Sequence, residues 1–203
     1  MHSHVLSLWR MRGYTLSAAF LLLLGLCIAL LPSDLHPVPG RLGAYSRLWP
    51  LLLSFVSLPL IIIHSRRHVT PRSYDPYAFR HFVEDLLFSS LCSLACCSVA
   101  SCGSPSFLDV SYTFAFYTLL TALFLNIFPT LSWLPPFCIA IIVWLLGTDG
   151  YGSAKSWALT LPGSSPHLRI VVLVLLLLTL ALSRFFSYEH SALPFSRQHE
   201  AQL

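Results

Sequence analysis

Residues 170–186 read IVVLVLLLLTLALSRFF, an apolar run broken only by Thr179, Ser183 and a single charge, Arg184. A run of this length and greasiness reads as a membrane-spanning helix, because about 20 apolar residues cross the roughly 30 Å of hydrocarbon in a bilayer. The rest of the chain repeats the pattern. Of its 203 residues 56% are hydrophobic and only 10% charged, against about 25% charged in a soluble domain. Too few polar residues remain to cover a water-facing surface. Instead, long apolar blocks alternate with short clusters of Arg, His, Pro, Gly and Ser.

The sequence therefore predicts an all-α, polytopic transmembrane helical bundle of about six spans, near residues 14–31, 48–64, 82–102, 110–128, 133–147 and 170–186. Residues 1–203 form one transmembrane domain, with residues 187–203 as a short polar tail. The first block follows Arg10 and Arg12 as a signal peptide would, but Pro32, Ser33 and Asp34 come where a small-x-small cleavage site would stand. An uncleaved span is expected. The fifth block is short and approaches spanning length only if it begins near Trp133; a re-entrant hairpin is the alternative. The loop from Thr148 to Arg169 is too short to bury a core of its own.

Orientation follows from the Lys and Arg counts. One side carries Arg10, Arg12, a basic loop of Arg66, Arg67, Arg72 and Arg80, and then Arg184 and Arg197; the other carries Arg41, Arg47, Lys155 and Arg169. Positive residues gather on the cytosolic side, which places both termini and the basic loop in the cytosol. With five spans the two sides would carry equal charge. The formal net charge of +4 reads as topology, and no nucleic-acid partner is expected.

The third span is the most informative. Ser89, Ser93, Cys97 and Ser101 recur every four residues, with Cys92, Cys96 and Ala100 as a second row beside them. Both rows fall on one helix face. In lipid, helices associate through small residues that let backbones approach, so this face is either the interface to a partner protein or packing within the bundle. Glu84 and Asp85 follow Arg80 and His81 by four residues, and this spacing suits ion-paired helix starts. Asp109 ahead of the fourth span reads the same way. Trp9, Trp49, Trp133 and Trp157 fall near block edges and read as headgroup-layer anchors. Phe114, Phe116, Tyr117, Phe124 and Phe128 read as a surface facing acyl chains. The six cysteines, Cys27, Cys92, Cys96, Cys97, Cys102 and Cys138, read as reduced packing residues, and no cofactor or metal is expected.

No catalytic constellation is complete. Ser183, Arg184 and His190 match the start of the phosphate-handling element of membrane lipid phosphatases, but Pro194 stands where that element needs Asp. For a transporter or channel, only Asn126 and a few hydroxyls fall at mid-membrane, where transport requires ionisable groups or broken helices.

One string invites comparison. A Cys- and Ser-rich span, then Cys102-Gly103-Ser104-Pro105, then FLDVSYTFAFYTLLTALFLNIFP from Phe107 to Pro129 resembles the PIG-F family of GPI-anchor assembly proteins. There a Gly-Ala-Pro turn joins comparable spans, and two spans and a basic loop precede the pair. Here Ser104 replaces Ala, and the family's Trp- and Pro-rich signature before the last span is missing. The resemblance implies a non-catalytic subunit in the endoplasmic reticulum, partnered with a larger ethanolamine-phosphate transferase. The other expectations are an accessory subunit of a mitochondrial inner-membrane complex, or a small transporter or channel.

Overall fold

The computed structural model describes residues 13–31, 35–40, 44–68, 88, 91–103, 105–128, 131–149 and 152–192, with the backbone alone at 64–68, 126 and 183–192. Most of it is helix. Helix α1 is Tyr14–Leu30, α2 is Trp49–Leu53, α3 is Ser57–His68, α4 is Leu91–Ala100, α5 is Phe107–Ile127, α6 is Leu134–Leu146 and α7 is Pro166–Ala192. Two two-residue strands, His36–Pro37 (β1) and Tyr45–Ser46 (β2), form an antiparallel hairpin between α1 and α2 that the all-α expectation lacked.

The second expected span is not one helix. A 3₁₀ turn at Ser54–Val56 separates α2 from α3. Pro59 has no N–H to continue an α-helical ladder from above, so a fresh helix begins at Ser57 and keeps Pro59 in its first turn. The hydroxyls at the break turn back on the chain: Ser54 Oγ donates to the Leu51 carbonyl at 2.7 Å and Ser57 Oγ to the Ser54 carbonyl at 2.9 Å.

Contacts between distant segments fix the direction of each rod. Tyr14 at the start of α1 stacks on Phe88, their ring centroids 4.4 Å apart, and Ala29 at its end touches Gly103 beyond α4. Thus α1 and α4 run parallel. Leu35, before the hairpin, packs on Gly152, while Asp109 and Arg169, at the starts of α5 and α7, form an ion pair. The hairpin, the turn at Gly103 and the 147–165 loop therefore share one end of the molecule. From that end α2–α3, α5 and α7 descend, and α1, α4 and α6 return to it.

Helix α5 is the axis, packed by α2, α3, α6 and α7. The main core joins Leu21, Leu24 and Ile28 of α1, Trp49 and Leu53 of α2, Cys96, Cys97 and Ala100 of α4, and Val110, Phe114 and Tyr117 of α5. Two sequence expectations are corrected here. Trp49 is 4% exposed, a core residue and not a headgroup anchor, whereas Trp133 at the start of α6 and Trp157 in the 147–165 loop are exposed. Phe114 and Tyr117 are buried and Phe116 packs on the core, so the aromatic side of α5 faces protein; Phe128, at its end, is exposed.

Lengths also differ from expectation. Among the described residues one helical stretch, Phe107–Leu125, is long and apolar enough to cross a membrane, and the other apolar stretches, Pro166–Leu182 of α7 among them, run to 17 residues or fewer. At 1.5 Å per residue the 17 residues of α1 reach about 26 Å, and the 13 of α6 about 20 Å. The prolines Pro135 and Pro136 lie in the first turn of α6, and its far end is covered by the loop that follows. Ala158 and Leu161 of that loop are buried against Val143. Too short for a core of its own, the loop completes one with α6.

Candidate functional site

A polar cluster ties α5, the 147–165 loop and α7 together at the hairpin end. Ser106 caps α5: it has extended backbone, and its Oγ accepts from the Asp109 N–H at 3.2 Å. This is the geometry that makes Ser a preferred N-cap. The same hydroxyl donates to Asp109 Oδ2 at 2.7 Å, which leaves Oδ1 for the Arg169 guanidinium. Asp109 also sits in the first turn of α5, where the helix dipole favours a negative charge.

Arg169 is engaged on every side. Its Nη1 donates to Asp109, its Nε to Ser164 Oγ at 2.7 Å and its Nη2 to the Leu161 carbonyl at 2.6 Å. The guanidinium lies over the Tyr112 ring, 4.9 Å from its centroid, within the range of a cation–π contact. Ser164 Oγ in turn donates to the Leu159 carbonyl at 3.1 Å, and Thr113 of α5 donates to the Thr160 carbonyl at 3.2 Å. The Asp109 and Arg169 side chains are 20% and 11% exposed. A charge so placed is neutralised, directed and shielded. The arrangement holds two helices and a loop in register; it presents no free base or nucleophile.

The small-residue face of the third span packs inside the molecule. Cys96, Cys97 and Ala100 are buried in the main core, and Cys92 packs on it. The Cys96 thiol meets the backbone of Gly25 on α1, and the Cys97 thiol meets Ser111 on α5. A Cβ added at Gly25 would lie 2.8 Å from the Cys96 carbonyl oxygen, so α1 and α4 touch backbone to backbone. Ser93 is half-buried, as is Ser101, whose hydroxyl turns back to the Ser98 carbonyl at 2.9 Å. Ser89 lies outside the described residues. Of the two readings of this face, these contacts occupy its centre with the chain's own helices.

The turn that carries the family resemblance is also a packing element. A Cβ on Gly103 would come within 2.7 Å of the Ala29 carbonyl oxygen, so only glycine lets the α4–α5 turn close over the end of α1. Pro105 is buried behind it; Ser104 lies outside the described residues. Of the basic-loop residues, Arg66 and Arg67 continue the backbone of α3, and Arg72 and Arg80 lie outside the described residues with Glu84, Asp85, His81 and Trp9. All six cysteines are free thiols.

The sequence reads Asp109 as an ion-paired helix start but does not single out Arg169 as its partner, although that signal is present. Both residues stand at the start of an apolar block entered from the same side, so parallel neighbouring helices bring opposite charges to one level. Comparison with known protein families, with curated proteins and with solved structures finds no match for this chain.

Proposed function

We propose that this chain is a multi-pass membrane protein with both termini and the basic loop in the cytosol, and that it is a non-catalytic subunit stabilising a larger lipid-glycan-modifying enzyme of the endoplasmic reticulum. The observation that carries the membrane reading is an inverted distribution of polarity along the helices. Large apolar side chains face outward: Leu30 is 76% exposed, Leu91 66%, Leu23 and Ile170 61%, and Leu175 56%. Hydroxyls line the interior instead, with Ser17 of α1, Ser54 and Ser57 at the α2–α3 break, and Thr113 and Thr121 of α5 all buried. In water such a surface would be far beyond the few hundred Å² of contiguous apolar patch that monomers tolerate. In lipid it is the expected exterior. Short rods fit the same reading, because irregular backbone at membrane depth is tolerated where protein covers it, as the 147–165 loop covers the end of α6.

The subunit role rests on the PIG-F resemblance and names the partner: an ethanolamine-phosphate transferase of GPI-anchor assembly, which would supply the metal and the nucleophile. The surface available to it is lipid-facing, chiefly α7, since the centre of the small-residue face is occupied from within. Purification of the tagged chain in mild detergent, with identification of what accompanies it, tests the role. A metal-dependent transferase among the co-purifying proteins is the expected result; a complement of mitochondrial inner-membrane subunits, or a chain that purifies alone, would overturn it. Tags at both termini should be digested by protease added outside sealed microsomes, and protection of either would refute the topology.

A further inference from the structure

Four rods line a small, partly open cavity on the side away from the polar cluster. It lies between α1, α3, α4 and α5, next to Phe88, and has a volume of about 20 Å³. Most of its wall is apolar, including Leu60, Ile63 and Phe114, but two hydroxyls line it: Ser17 of α1 and Thr118 of α5. Ser17 is 1% exposed. Among the described residues neither Ser17 Oγ nor Thr118 Oγ1 has a hydrogen-bond partner, and both atoms are buried. A helical Ser or Thr can usually satisfy itself by donating to the carbonyl one turn back, as Thr121 does to Tyr117 at 2.7 Å and Thr179 to Leu175 at 2.7 Å. Ser17 and Thr118 do not.

We infer that this cavity is a binding site for a single structural water that bridges Ser17 and Thr118 and so links α1 to α5. Size decides the occupant. A water requires about 10–15 Å³ of such space and two to four polar partners. The volume meets the first condition and matches a single water. Each hydroxyl can both donate and accept, which meets the second, and the Cys92 thiol on the same wall adds a weak third partner. A hydroxyl left unpaired in an apolar interior is destabilising, so the water converts two unfavourable groups into one interhelical connection.

The test is a double-mutant cycle on Ser17→Ala and Thr118→Val, read as the thermal unfolding midpoint of the purified full chain in mild detergent. If the water is held, each single change lowers the midpoint, by about 2–4 °C on the scale of a chain this size. The double change lowers it no further than the larger single one, because the second hydroxyl has already lost its bridge. Thr118→Ser, which keeps the hydroxyl and removes only a methyl, should retain the coupling to Ser17. If the site is dry, or filled by a lipid chain, removing an unpaired hydroxyl raises the midpoint or leaves it unchanged, and the inference fails. It also fails if the two losses add, or if Thr118→Ser behaves like Thr118→Val.

Discussion

The two flanks of α5 are held in different ways. On one flank, α1 and α4 meet through Gly25, Cys96 and Val99, with backbone touching backbone and Cys97 turned toward Ser111 of α5. On the other, α7 exposes Ile170, Val171, Leu177, Leu178 and Leu182, lays the half-buried stripe of Val172, Leu173, Leu176 and Leu180 along α5, and is fastened at its first turn by Arg169. The first flank adds backbone closeness along its length, the second a polar fastening at its first turn on top of side-chain packing along α5. Lipid makes both necessary, since a leucine gains little by leaving hydrocarbon for another leucine. A greasy helix without small residues must be pinned by something else.

Breaking the pin should have the largest effect. Arg169→Met leaves Asp109 without its partner beneath the loop, and loss of one member of a buried pair costs about 3–5 kcal/mol; with 11–20% exposure here, about 2–4 kcal/mol is expected. Asp109→Leu should cost a similar amount. The double variant should recover much of the loss, since two apolar residues replace two charges and leave neither unpaired. Chemical unfolding of the full chain in detergent would measure all three. If the losses in the double variant simply added, the pair would not be what fastens α7.

Crowding the close-packed flank comes next. Cys97→Leu and Gly25→Ala push a side chain into occupied space, and overpacking of this kind costs about 1–3 kcal/mol. Ser93→Leu should cost less than Cys97→Leu, because Ser93 is only half-buried. Leu91→Ala, at a position 66% exposed, should be nearly neutral. The yield of folded, monodisperse protein ranks the four. A normal yield of Cys97→Leu that had lost only its partner would return the face to the role of an external interface.

The architecture was more legible than the site. Every rod was visible as an apolar block because block length and composition depend on local sequence alone. The bounds shifted where a polar residue organised the end: α5 begins at Phe107 because Ser106 caps it, and α7 at Pro166, before the apolar run opens at Ile170. The break at Ser54–Val56 could have been inferred from Pro59. Trp49 could not, since its position at a block edge says nothing of whether protein or lipid lies beside it. The 147–165 loop looked like a polar connector because its two buried residues, Ala158 and Leu161, acquire meaning only against Val143. Likewise the period of four in the third span marked a packed face but could not say what packs on it.

The finest distinction lies within the pin itself, between the charge pair and the ring beneath it. The Tyr112 hydroxyl is buried and has no hydrogen-bond partner among the described residues, so Tyr112→Phe keeps the ring under Arg169 and removes an atom that makes no bond to them. Its stability should stay within about 0.5 kcal/mol of the parent, as for most substitutions that disturb no contact. Tyr112→Leu removes the π face, along with the stacked contact to Phe116 at 6.3 Å. A partly shielded cation–π contact is worth about 0.5–2 kcal/mol, and the loss should fall in that range. In the Arg169→Met background the guanidinium is gone, so the penalty of Tyr112→Leu should shrink toward that of the Phe116 contact alone. If the penalty is the same in both backgrounds, the ring serves as packing, and the fastening of α7 belongs to Asp109, Ser164 and the Leu161 carbonyl without it.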